Sequence, residues 1–189
     1  MNDAARSVRV TMIRPHLEGL PVVSPPAGFT LRLYQPDDAT AWVRIHQEAG
    51  HVHAVSPELH TREFAAGEVP LRQRQFFLCA ADGREIGTAT AWFDEDHHGE
   101  SWGRLHWVAV SEAYQGRGLG RVLVSAACLR LRELGHPRVY LRTQPDRVKA
   151  IQLYLSFGFV PEIRDAANRR EWEQLQRRGL AVNLPTLAP

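Results

Sequence analysis

Apolar and polar positions alternate over residues 8–13 and again over 29–34, the period of a half-buried strand. Between them Pro15, Pro21, Pro25 and Pro26 exclude a regular helix, so this passage is expected to run extended across the surface. Asp37 and Asp38 offer a helix start, and Ala41, Trp42, Ile45 and Ala49 recur at helical spacing until Gly50. A second helix is expected from the cap residue Ser56, with Pro57 in its first turn, as far as Ala66, with Gly67 beyond its end.

Residues 75–81 form an apolar strand, Asp82-Gly83 is a hairpin signal, and 85–93 returns as the antiparallel partner. Residues 94–103 are polar and read as a loop, followed by a strand over 105–110 that runs directly into 111–120. Leu119, Val122, Leu123, Ala126, Leu129, Leu131 and Leu134 mark a helix closed by Gly135 and Pro137. A strand over 138–143, a helix over 146–157 ended by Gly158, a short strand over 159–162 and a polar helix from Arg164 and Asp165 to about Arg178 complete the order, with a loose tail to Pro189. This order predicts an α/β (mixed α+β) domain, a central mixed and mostly antiparallel sheet flanked by helices, with no internal repeat and no second domain.

The chain has 189 residues, 44% hydrophobic and 23% charged, which suits one domain with a substantial core. A net charge of +2 provides no single-signed field for nucleic acid, and the dominance of arginine over the one lysine, Lys149, carries no functional weight. Cys79 and Cys128 lie inside apolar runs and are expected as buried, reduced thiols. Neither a membrane-length apolar run nor a signal-peptide pattern is present, so a cytoplasmic protein without a membrane partner is expected.

Candidate chemistry concentrates in Gln115-Gly116-Arg117-Gly118-Leu119-Gly120, between a strand and a helix. Alternate glycines allow a tight bend and leave N–H groups unobstructed where the helix dipole places partial positive charge, an anion cradle suited to phosphate or pyrophosphate. No Lys-Ser/Thr follows the last glycine, as a Walker loop would require, and the third glycine comes one residue early for a dinucleotide fingerprint.

The run L-H-W-V-A-V-S-E-A-Y-Q-G-R-G-L-G over 105–120, followed by Ala150-Ile151-Gln152-Leu153-Tyr154 and Phe157-Gly158-Phe159, resembles the GCN5-related N-acetyltransferase (GNAT) family. The resemblance implies a GNAT-like acyl-CoA-binding catalytic domain over 29–162, preceded by an extended segment with a short strand over 1–28 and followed by a polar helix and tail over 163–189. It implies acetyl-CoA as co-substrate, with the pyrophosphate held by Gln115, Gly116, Arg117, Gly118, Leu119, Gly120 and Arg121 and the pantetheine arm by Val108, Ala109 and Val110. It also implies Val108 N–H as the oxyanion donor and Tyr154 as the acid that protonates the leaving thiolate. The acceptor is then the amine of an unidentified small molecule or peptide, attacking directly in a ternary complex.

An alkylamine near pKa 10.4 is almost wholly protonated at pH 7, so the reaction needs a base. Many relatives carry a glutamate four residues before the oxyanion position, where this chain has Arg104, a guanidinium that stays protonated. In a regular strand Arg104, His106 and Val108 share a face, which puts His106 one pleat from the reacting centre and makes it the candidate base. A structural histidine between Trp102 and Trp107 is the competing reading. Arg147 likewise replaces an asparagine that relatives use on the cofactor, so that contact stays unassigned.

His51 with His53, and His97 with His98, lack further ligands at helpful spacing, so no metal is expected. Asp94, Glu95 and Asp96 read as a solvated cluster that flanks the cleft, and Trp42, Trp92 and Trp107 as core. A non-catalytic acyl-CoA-binding or regulatory domain of the same fold is the alternative function, an arginine-rich nucleic-acid binder is disfavoured by the net charge, and either a monomer or a homodimer fits.

Overall fold

The computed structural model describes residues 9–50, 54–65 and 67–185. Strands β1 (Val10–Arg14) and β2 (Phe29–Leu33) precede three helices, α1 (Asp38–Glu48), α2 (Pro57–Glu63) and α3 (Glu68–Arg74). Then come β3 (Gln75–Ala80), β4 (Glu85–His97), β5 (Glu100–Val110), a short 3₁₀ turn (Glu112–Tyr114) and α4 (Leu119–Glu133). The chain ends through β6 (Val139–Thr143), α5 (Val148–Ser156), β7 (Val160–Pro161) and α6 (Ala166–Arg177). The seven strands form one sheet in the order β2-β3-β4-β5-β6-β1-β7. Every pairing is antiparallel except β5 with β6.

Two apolar layers sandwich the sheet. On one face Leu119, Leu123, Ala127 and Leu131 of α4 pack with Ile151 and Tyr154 of α5 against Leu78, Ile86, Leu105 and Leu141. Trp172 and Leu175 of α6 join the same layer beside Val10 and Met12 of β1. On the other face Trp42 and Ile45 of α1, Leu59 of α2 and Leu71 of α3 cover Phe77, Trp92 and Ala109. Cys79 and Cys128 are buried free thiols, as their apolar surroundings imply.

Local chemistry explains most boundaries. Ser56 Oγ accepts from Leu59 N–H at 3.3 Å and Pro57 occupies the first turn of α2, where a missing N–H is harmless. Asp165 caps α6 by accepting from Asn168 N–H at 2.7 Å. Asp38 opens α1 and receives both terminal nitrogens of Arg32, at 2.6 and 2.8 Å, while the same guanidinium reaches Glu85 at 2.8 Å, tying β2, α1 and β4 together. The buried Arg14 donates to the carbonyls of Phe157 at the end of α5, of Glu18 and of His16, so it holds a cation at a helix C-terminus.

Three local expectations are corrected. Residues 94–103, a loop by their polarity, continue β4 to His97 and start β5 at Glu100, joined by the two-residue turn His98-Gly99 with φ of 59° and 81°. Positive φ at both positions is the hairpin geometry that matches strand twist, and the polar pattern arises because this end of the hairpin is largely exposed. Residues 68–74, without a helical pattern of their own, form α3, with Pro70 tolerated in its first turn. The first strand spans Val10–Arg14 rather than 8–13, and Val8 lies outside the described residues.

The parallel contact between β5 and β6 consists of two residue pairs, Gly103 with Val139 and Arg104 with Tyr140, after which the strands part. A Cβ on Gly103 would lie 3.0–3.1 Å from Leu131 Cδ2, His136 Cβ and Val139 Cγ2, so this junction closes only around a glycine. Gly103→Val is expected to lower unfolding free energy by about 1–3 kcal/mol, the usual cost of overpacking. The urea midpoint measures it, and a midpoint equal to that of the wild type would show that the junction has room.

Candidate active site

Two cavities open where β5 and β6 diverge. The larger, about 660 Å³, runs from the end of β5 along the glycine loop to the N-terminus of α5. Gly116 and Gly118 both sit at φ 77°, a left-handed conformation that glycine adopts without strain. Gly118 is the residue before α4, and no side chain caps that helix, so the first turn, where Gly118, Leu119 and Gly120 line the cleft, offers uncapped N–H groups of the kind that suit an anion. Gln115 Nε2 donates to Val110 carbonyl oxygen at 2.9 Å, fixing the loop to the strand it leaves.

Eight of the ten residues expected at the cofactor line this cleft: Val108, Ala109, Val110, Gln115, Gly116, Gly118, Leu119 and Gly120. Arg117 and Arg121 do not. The Arg117 guanidinium lies over the Tyr114 ring at 5.3 Å, and Arg121 donates to Ser156 Oγ at 3.0 Å and covers Phe157. The opposite wall is the first turn of α5, and a Cβ on Gly120 would come within 3.2 Å of Leu153 Cδ2 there.

The smaller cavity, about 130 Å³, lies in the gap between Leu105–Val108 and Leu141–Gln144, with Arg9 and Glu63 at its edge. Val108, Arg147 and Tyr154 line both cavities and so stand where the two meet. Tyr154 is buried, and burial pushes its hydroxyl up to about 12 while nearby Arg147 opposes this, so it is protonated at neutral pH.

The regular alternation that would put His106 and Val108 on one face fails. Thr90 pairs with His106 but Thr88 pairs with Ala109, so β5 carries an extra residue, and Trp107 takes the unusual φ of 48°. The bulge turns His106 and Trp107 to the same side, that of α1 and α2, while Val108 packs with the α4 and α5 layer. His106 and Val108 both line the smaller cavity, from opposite sides of the bulge.

His106 Nε2 lies 3.1 Å from Glu63 Oε2, and Trp107 Nε1 donates to the same oxygen at 3.0 Å. The His106 hydrogen bond chiefly holds the Glu63 carboxyl down, to about 2, against the opposing effect of burial. Burial in turn pushes His106 down to about 4, outweighing the upward pull of Glu63, with Arg104 adding to the depression. At neutral pH the pair is thus an ionised carboxylate and a neutral imidazole. Only an imidazole protonated on Nε2 can donate to Glu63, which leaves the lone pair on Nδ1. Glu63 is the last residue of α2, 43 positions before His106, and nothing in the local sequence marks it.

Other candidates have different occupations. Asp94 Oδ2 accepts from Tyr140 Oη at 2.5 Å, which ties it into β6. His46 is fully buried with ring centroids 4.4 Å from Trp42 and 5.0 Å from Trp107, inside the apolar layer. Trp42 and Trp92 are core, whereas Trp107 is only partly buried and orients Glu63. His51 and His53 lie outside the described residues. His97 and His98, which lack a third ligand in sequence, meet Glu162 in space: its Oε1 is 3.5 Å from His97 Nε2 and 3.2 Å from His98 Nε2. Among the described residues no helix is long and apolar enough to cross a membrane.

The sequence model of the acetyltransferase (GNAT) family matches residues 33–159. The chain is 34% identical over 164 residues to a mycothiol acetyltransferase of Actinosynnema mirum, covering 82% of this chain and 53% of that protein. It is 36% identical over 163 residues to a mycothiol acetyltransferase of Thermomonospora curvata, covering 80% and 51%. The chain therefore spans about half the length of these curated relatives. Among solved structures, a GCN5-related N-acetyltransferase from Sphaerobacter thermophilus superposes with a TM-score of 0.66 at 21% identity, over 82% of this chain and 48% of that one, a likeness of fold. The family match covers the glycine loop, the bulged strand and Tyr154 alike, and the chain belongs to the acetyltransferase (GNAT) family.

Proposed function

We propose that this chain transfers an acetyl group from acetyl-CoA to the amine of a small molecule, by direct attack with both substrates bound, and that residues 29–162 carry the reaction. The observation that carries the reading is the meeting of the two cavities at Val108 and Tyr154, which lets a thioester approach from the glycine-loop side and an amine from the other. The names of the two relatives support a small-molecule acceptor over a peptide.

The fit of the larger cleft to acetyl-CoA rests on its own backbone. The uncapped start of α4 and the left-handed Gly116 and Gly118 present N–H groups suited to a pyrophosphate, while Val108 to Val110 offer strand-end backbone for an amide-bearing arm. Val108 N–H, at the bulge where the ladder to β4 slips, is assigned to the charge that develops on the carbonyl oxygen. His106 Nδ1 takes the proton of the attacking amine as the C–N bond forms, and Glu63 holds the imidazole in the tautomer this needs. As the C–S bond breaks, the Tyr154 hydroxyl supplies a proton to the sulfur.

Calorimetry with acetyl-CoA tests the cofactor side. Gly118→Val is expected to weaken binding by at least about tenfold, since one lost charge-assisted hydrogen bond is worth about 1.5–3 kcal/mol, with a smaller loss of fold stability. Undiminished affinity in the folded variant would remove the glycine loop from the cofactor site.

Thiol release from acetyl-CoA with a panel of low-molecular-weight amines tests the reaction itself. Tyr154→Phe is expected to lower kcat by about 10²–10⁴-fold, the usual contribution of a positioned acid, while acetyl-CoA affinity is retained. Equal turnover of wild type and variant with chemistry limiting would return Tyr154 to a packing role.

The pH dependence follows from the depressed His106. With an acceptor of low amine pKa, kcat/KM is expected to rise through about pH 4 and stay level across pH 5–7, rather than rising near the ordinary histidine value. Stability follows the same group. The folded state binds fewer protons than the unfolded chain between about pH 4 and 6.5, so stability falls as pH drops through that window. His106→Gln is expected to lower the rate, remove the acid limb and reduce this loss of stability. A variant with the wild-type rate and profile would assign the proton to another acceptor.

A further inference from the structure

We infer that His97, His98 and Glu162 form a binding site for a divalent transition-metal ion of the zinc class, apart from the acetyl-transfer cleft, which fastens the tip of the β4–β5 hairpin to the chain leaving β7. One ligand atom from each of His97, His98 and Glu162 lies within 4.8 Å of the others, and the Nε2 atoms of His97 and His98 are 3.5 and 3.2 Å from Glu162 Oε1. Bonds of about 2.0–2.1 Å in a tetrahedral site put neighbouring donors about 3.3–3.4 Å apart, so the carboxylate edges already fit such an ion.

A second and independent observation points to a ligand. His97 is 2% exposed, yet neither of its ring nitrogens has a hydrogen-bond partner in the structure. An imidazole so buried normally satisfies at least one of them. The Tyr140 ring stacks flat on it, with centroids 3.8 Å apart and planes 5° from parallel, which fixes the imidazole plane while Nε2 points towards Glu162. His98 comes from the left-handed first position of the turn, and that conformation carries its ring to the same carboxylate from the other side. Its side chain is 34% exposed and that of Glu162 12%, so an ion reaches the site from solvent and water completes the coordination.

Two histidines and one carboxylate suit zinc better than magnesium or calcium, which prefer oxygen donors. One carboxylate leaves a net charge of +1 on the bound site. The ion has a fastening role here, because the site joins segments 64 residues apart in sequence, at the rim of the sheet opposite the glycine loop.

The test uses the full, tag-free chain stripped of metal by chelation and titrated calorimetrically with zinc chloride. One equivalent is expected to bind and to raise the unfolding temperature. His98→Asn keeps a residue that accepts the left-handed turn, and Glu162→Gln keeps the shape of the carboxylate; each is expected to weaken zinc by more than about 100-fold, beyond the loss typical of an outer-shell partner. Unchanged metal-free unfolding midpoints show that both variants are folded. Cobalt(II) substitution gives a readout on the wild type alone: the strong visible bands of four-coordinate cobalt are expected, with neither magnesium nor calcium competing. Absence of zinc binding at submillimolar metal, wild-type affinity in either variant, or the pale spectrum of six-coordinate cobalt would each overturn the site.

Discussion

The site depends on a contact that stops early. Strands β5 and β6 are parallel neighbours for two residue pairs, and beyond Gly103 and Arg104 their backbones separate. Backbone N–H and C=O groups that leave a ladder must find other partners, so a parting of two central strands is costly unless something enters the gap. Here the gap is the active-site candidate. The glycine loop lies beyond the end of β5, and Tyr154 comes up from α5 on the side of β6, so one departure from regular pairing sets the cleft, its two entrances and the residues where they meet.

The bulge at Trp107 is the second constraint, and it acts within the wedge that the first one opens. A regular strand would divide Glu63's partners between the two faces of the sheet. One extra residue turns two consecutive side chains the same way, so that His106 and Trp107 both donate to a single carboxylate oxygen. Cation–π and stacking contacts then hold the basic side chains of this region in place: Arg104 and Arg142 lie 5.7 and 5.5 Å from the Tyr140 ring centroid, and His97 stacks on that ring.

What was legible in the sequence follows from how local its cause is. The glycine loop is encoded at the positions that adopt left-handed backbone, and the helix after it by its own apolar spacing, so the loop and helix that wall the larger cleft were readable from local sequence. Tyr154 followed from the motif that surrounds it. The acceptor side is different in kind. Glu63 reaches His106 across 43 residues, and the bulge leaves no mark in composition because tryptophan at positive φ is imposed by the fold; outside the cleft, Glu162 reaches His98 across 64 residues for the same non-local reason. The long hairpin arms were hidden for a simpler reason. Beyond Phe93 the strand is paired but largely exposed, and its Asp94-Glu95-Asp96 run carries the polarity of a loop.

The electrostatics of the smaller cavity bear on the acceptor the proposed reaction would take. Arg9, Arg104, Arg142 and Arg147 line it with one carboxylate, Glu63, which is already engaged by two donors. Positive surroundings disfavour a protonated amine, and an imidazole whose conjugate acid lies near 4 is too weak a base to deprotonate an ordinary alkylammonium before attack. Both features favour an amine that enters neutral and loses its proton only as the C–N bond forms, when attachment to carbon makes that proton acidic. In the proposed reaction the weak, neutral His106 would then be matched to a late proton transfer. There the arginines, by favouring a neutral amine and any anionic or oxygen-rich group beside it, would select an acceptor for which a stronger base is unnecessary.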